Sequence, residues 1–247
     1  MAGAAIETVK KRANVRATAR RILQRLYRPS YVKTLDHQVD KALDIYRLYS
    51  TAPGMRADTS ITFRKYLSVK DARVMAEVMD ARNFYRFGPG VAGERTSFKQ
   101  AAPILDDFFK RLDQRIAGSR TAAVFRHAHG EVTMPFAALI KAPGSTRGAS
   151  SKAAYSYRRN PWRGQVAGLL AGNIEWAAYR NASGNVLVTM RYNEKPVRFS
   201  SDCTPSANGA YFYRVSQRSA SAEVICAAGP DRPARHLTAR SAHPRHR

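Results

Sequence analysis

The chain has 247 residues, 44% hydrophobic and 10% aromatic, enough to bury one large core or two small ones and too apolar to stay unfolded. Lys and Arg number 42 against 18 acidic residues, a formal net charge of +24 that favours polyanions: nucleic acid, anionic lipid or phosphorylated small molecules. No run approaches the roughly 18 apolar residues of a bilayer-crossing helix, so no membrane partner is expected.

The basic residues are scattered through nearly every segment, which fits a solvated surface better than a nucleic-acid groove. The N-terminus turns charged before any apolar export segment forms, so as written the chain starts in the cytoplasm.

In chain order, the first half reads as helices. Ile6 to Tyr27 is expected as one long basic helix stopped by Pro29. Val39, Ala42, Leu43 and Tyr46 recur at helical spacing. Ser68 is placed to cap a helix whose apolar stripe is Val74, Met75, Val78 and Met79. From Ala101 to Ile116, Ile104, Leu105, Phe108, Phe109, Leu112 and Ile116 form one apolar face. Asp106–Lys110 and Asp107–Arg111 pair on the other.

The second half changes character. Thr121 to Phe125 reads as a short apolar strand, and Met134 to Ile140 as a helix with Pro135 in its first turn. Residues 143–160 read as a flexible polar loop. Ile174 to Tyr179 and the alternating Val186, Val188, Met190 and Tyr192 read as a β-hairpin with its turn at 181–185. After Cys226 the chain becomes rich in Pro, Arg and His and reads as a disordered tail over 229–247. Cys203 and Cys226 would be spectators in a reducing cytosol and could close a short loop in an oxidising compartment.

Between strand and helix lies "FRHAHGE", with His127, His129 and Glu131 at alternate positions. Were the strand to run through 131, the three would share a face and form a metal cluster, but no second ligand group supports this, and no metal or cofactor is expected. Were a helix to begin there, its N-terminus would attract an anion, His129 could hydrogen-bond a phosphate oxygen and Glu131 could protonate a leaving alkoxide. The third reading is a polar strand end without chemistry.

"AVFRHAHGEVTMPFAALI" resembles the HAE region of the branch-2 histidine acid phosphatases, the phytases and multiple inositol-polyphosphate phosphatases, whose usual form is close to R-F-A-H-A-E before an apolar helix. The likeness runs through "DARNFYRFGPG", "NPWRGQVAG", "RYNE" and the segment around Cys203 and Tyr211–Tyr213, spanning residues from about 25 to 226. It implies an α/β phosphatase core interrupted by a helical insertion: residues 1–118 would be the later part of the insertion and 119–228 the second half of the core. It also implies His129 as phosphate contact, Glu131 as proton donor, His127 as packing, an inositol-phosphate substrate, and a periplasmic or secreted location in which Cys203 and Cys226 pair.

Two departures qualify this. Gly130 stands where the family usually has Ala, which should loosen the backbone beside the donor. The family's nucleophile motif, R-H-G-x-R, occurs nowhere in the sequence. The resemblance therefore implies a phosphatase truncated before its nucleophilic histidine, weak or inactive alone, with an incomplete sheet, an unpaired edge and exposed apolar surface. A non-enzymatic polyanion or nucleic-acid binder is the alternative.

Overall fold

The computed structural model describes residues 2–199, 205–206, 211–216, 223–226 and 235–237. Its contacts divide into two compact units, residues 1–85 with 149–161 and residues 86–148 with 162–247.

The first unit is helical: α1 (Ala2–Lys10), α2 (Ala13–Leu23), α3 (Pro29–Thr34), α4 (Gln38–Thr51) and α5 (Val69–Arg86). The single helix expected from Ile6 to Tyr27 is broken at Arg12, whose backbone is extended at φ −58°, ψ 137°. Its guanidinium donates to the Glu77 carboxylate at 2.8 Å and to the Tyr155 carbonyl at 2.6 Å, tertiary bonds that override the local helical preference. Pro29 stops one helix and opens the next as the first residue of α3.

Ser68 caps α5 as its position predicts. Its hydroxyl accepts from the Asp71 N–H at 3.1 Å and donates to the Asp71 carboxylate at 2.8 Å. Asp71 is 1% exposed and takes Arg21 at 2.6 Å and Arg25 at 3.0 Å. Burial works against that carboxylate, but the bonds and charges of Arg21, Ser68 and Arg25 outweigh it and hold its pKa below the usual range.

The segment expected as a flexible loop is anchored over 149–161. Tyr155 is buried, its ring 4.6 Å from Phe84, and its N–H donates to the Tyr85 hydroxyl at 2.8 Å. Tyr157 donates to Asp80 at 2.7 Å. Arg12, through its bond to the Tyr155 carbonyl, holds the same segment.

The second unit packs α6 (Ala102–Ile116), α7 (Gly130–Leu139) and the short α8 (Gly164–Ala167) with a six-stranded sheet. Its strands are β1 (Ile174–Arg180), β2 (Val186–Tyr192), β3 (Lys195–Val197), β4 (Tyr213–Ser216), β5 (Glu223–Cys226) and β6 (Arg235–Leu237). The order is β1-β2-β4-β5-β6, with β3 also on β2 and every pairing antiparallel. The hairpin follows its alternation: Trp176 faces Met190, and Val188, Met190 and Tyr192 are buried. Leu105, Phe109 and Leu112 of α6 meet Phe136 and Ile140 of α7 and the inner face of β2. Rings bind helix to sheet: Phe108 lies 4.8 Å from Trp176, Trp176 4.8 Å from Phe199, and Phe199 5.1 Å from Tyr213.

Residues 121–125, expected as a strand, form none, and residues 121–129 are exposed. Strand identity requires a hydrogen-bonding neighbour, and no described strand pairs with this segment. Cys203 and most of the tail lie outside the described residues, and Cys226 is placed in β5 by its backbone. Among the described residues no helix is long and apolar enough to cross a membrane.

Candidate active site

The helix that carries the motif begins earlier than its apolar run. His129 is the N-cap of α7, extended at φ −82°, ψ 166°, and its carbonyl accepts from the Val132 N–H at 2.9 Å. Gly130 is the first helical residue and Glu131 the second. Thr133 donates its hydroxyl to the Gly130 carbonyl at 3.2 Å, supporting this first turn. Pro135 therefore lies inside the helix rather than in its first turn, where it lacks the N–H that would reach the Glu131 carbonyl. Burial of Met134, Pro135 and Phe136 in the core holds the helix across that gap.

This start disposes of the shared strand face. Glu131 is helical while His127 precedes the helix, and among the described residues no group of three His, Cys, Asp or Glu side chains could hold a metal. His129 is the N-cap and Glu131 the second residue of the same helix N-terminus, both solvent-exposed, where free N–H groups and the dipole favour an anion. His129 makes no capping hydrogen bond with its side chain. His127 is exposed, not packed, so the packing role expected for it fails: the segment that carries it has no sheet neighbour to bury against.

The flanking charge is ordered by α6. Arg126 pairs with Asp107 and lies 5.3 Å from the centre of the Phe108 ring, which anchors the chain a few residues before α7 begins. The α8 segment, from "NPWRGQVAG", comes to the other side. A Cβ on Gly130 would lie 3.5 Å from the Gly168 carbonyl oxygen, and one on Gly168 would lie 3.0 Å from Met134 Cγ. Gly168 thus lets the α8 turn approach the start of α7. Sequence reasoning gave it no role, and the only signal was the four-residue glycine spacing Gly164, Gly168, Gly172. Gly130 has an ordinary helical place, with room for a Cβ at contact distance from Gly168.

No protein-family model matches the chain, and neither does any curated protein sequence. Solved structures do. The multiple inositol polyphosphate phosphatase of Bifidobacterium longum, in complex with inositol hexasulfate, matches with a TM-score of 0.78 at 31% identity, over 86% of this chain and 52% of that one. Its apo form gives 0.74 at 30% identity, over 86% and 53%, and its phosphate complex 0.67 at 38%, over 73% and 39%.

The chain spans about half the length of the multiple inositol polyphosphate phosphatase it matches. The fold is histidine-phosphatase-like α/β, as the HAHGE, NPWRG and RYNE segments implied, and the likeness to the multiple inositol polyphosphate phosphatase is partial, as expected.

Proposed function

We propose that the chain is part of a phosphomonoesterase of the multiple inositol polyphosphate phosphatase type. In this reading His129 donates a hydrogen bond to a phosphate oxygen, and the Glu131 carboxyl passes its proton to the departing alkoxide oxygen of the inositol ring. The observation that supports it is the placement of His129 at the N-cap and Glu131 in the first turn of α7, in a chain 31% identical to a phosphatase crystallised with inositol hexasulfate.

Phosphohistidine chemistry further needs a nucleophilic imidazole and arginines clamping the phosphoryl oxygens, and no R-H-G-x-R sequence is present to supply them. General acid catalysis contributes only about 10²–10⁴-fold, far short of what phosphate monoesters require. The 247-residue chain alone is therefore expected to bind inositol hexakisphosphate and release little phosphate from it.

Calorimetric titration with inositol hexakisphosphate at fixed salt tests this. His129→Ala should weaken binding about tenfold, one lost charge-assisted hydrogen bond. Equal affinity of wild type and variant, with binding that falls steeply with salt, would instead make the chain a stereochemically indifferent polyanion binder. Rapid phosphate release by the chain alone would overturn the expectation of weak activity.

A further inference from the structure

An apolar groove opens at the surface of the first unit, at the end of α4. That helix stops at Thr51, and the chain turns through a short 3₁₀ segment, Ala52–Met55. The Met55 carbonyl then accepts from the Asp58 and Thr59 N–H groups at 3.0 and 2.9 Å, and the Phe63 carbonyl from those of Tyr66 and Leu67 at 2.9 and 3.0 Å. Arg25 donates to the Tyr66 carbonyl at 2.9 Å, and Leu67 is buried. These bonds bring residues 55–63 back to the end of α4, where Leu48, Ala52, Met55, Ile61 and Phe63 line the groove together with Thr51 and Thr59.

Much of the apolar lining meets solvent: Leu48 is 48% exposed, Met55 47% and Ile61 60%. Cations adjoin these residues along the chain. Arg47 precedes Leu48, Arg56 follows Met55, and Arg64 and Lys65 follow Phe63, all of them exposed. Over residues 44–67 these four cations stand against two acids, Asp44, which takes Arg47 at 2.8 Å, and Asp58, so the rim is net positive. Exposed apolar side chains set among cations suit peripheral membrane contact: the cations hold anionic head groups and the apolar tips pass beneath them. That no helix among the described residues is long and apolar enough to cross a bilayer bears on spanning, not on contact of this kind.

We infer that this groove and its cationic rim dock on the surface of an anionic phospholipid bilayer, with Leu48, Met55 and Ile61 entering the head-group boundary. Charge selects this occupant. A second copy would set one positive rim, on a chain of net charge +24, against another. A specific protein partner buries about 800 Å² on each side, more than the few residues lining the groove present. A bilayer needs no matching shape: each cation near an anionic surface strengthens binding about fivefold, and apolar tips add to it. The inference is independent of the reading given under Proposed function, since neither His129 nor Glu131 takes part in it.

The test is co-sedimentation of the full 247-residue chain with vesicles of pure phosphatidylcholine, and with vesicles of one part phosphatidylglycerol to two of phosphatidylcholine. The expected result is at least tenfold stronger partitioning onto the anionic vesicles. Ile61→Gln and Met55→Gln, which keep the charge, should each weaken it at least threefold, whereas Ile61→Leu should partition like wild type. Arg64→Gln should weaken it about fivefold at low salt, and the difference should vanish at high salt. Ile61→Trp should be quenched by lipids brominated near the head group more strongly than wild type, whose Trp162 and Trp176 supply the background. No partitioning, equal partitioning onto the two vesicle types, loss with Arg64→Gln but none with Ile61→Gln, or no added quenching of Ile61→Trp would each overturn the inference. So would a dimer in sedimentation velocity that Ile61→Gln dissolves, since the groove would then belong to a second copy.

Discussion

At the scale of single residues, Gly130 and Gly168, which lie against each other at the start of α7, are predicted to behave in opposite ways. Gly130→Ala places its Cβ at ordinary contact distance from Gly168 and restricts the unfolded chain, so it should stabilise by about 0.4–1 kcal/mol. Gly168→Ala drives a methyl to 3.0 Å from Met134 Cγ and should destabilise by about 1–3 kcal/mol. Thermal unfolding of both variants checks the pair, and a Gly130→Ala loss with a Gly168→Ala gain would contradict this packing. Asp71 gives a pH prediction. Its folded pKa lies below the unfolded value of about 3.9, so its contribution is present above that pH and lost as acid titrates it through the lower folded value. Asp71→Asn should cost about 1–3 kcal/mol near neutrality and flatten the acid limb of a stability curve measured between pH 2 and 7.

At the scale of elements, Tyr192 ties β2 to α8 by donating its hydroxyl to the Ala167 carbonyl at 2.7 Å. Burial raises that phenol to about 12, so it remains protonated through the neutral range. Tyr192→Phe keeps the ring and strands the carbonyl, for an expected loss of about 1–2 kcal/mol in urea unfolding. The elements legible in the sequence were those that local signals decide: α6 from its repeated apolar face, the hairpin from Val188, Met190 and Tyr192, and the start of α5 from the cap Ser68. The rest depended on distant partners. The break at Arg12 is made by Glu77 and Tyr155, far along the chain, and nothing local announces it. Thr121 to Phe125 has strand-like composition but no strand neighbour among the described residues, and composition cannot supply one. That a helix opens beside His129 and Glu131 was readable from the motif, while the nearness of Gly168 came only from the fold.

At the scale of the whole molecule, the charge of +24 acts on every anionic encounter, so inositol hexakisphosphate should associate faster and more tightly at low salt in wild type and variants alike. Only the component that survives high salt can report on His129. A further consequence lies in where the indole rings fall. The sequence has two tryptophans, Trp162 and Trp176, and both belong to the unit built on the sheet, whereas α1 to α5, the greater share of the described helical residues, lie in the other unit. Intrinsic fluorescence is therefore a built-in optical label for one unit, and far-ultraviolet circular dichroism is weighted toward its neighbour. Asp71→Asn should shift the dichroic melt while leaving the fluorescence melt in place if the two units unfold separately, and should move both together if they unfold as one cooperative body.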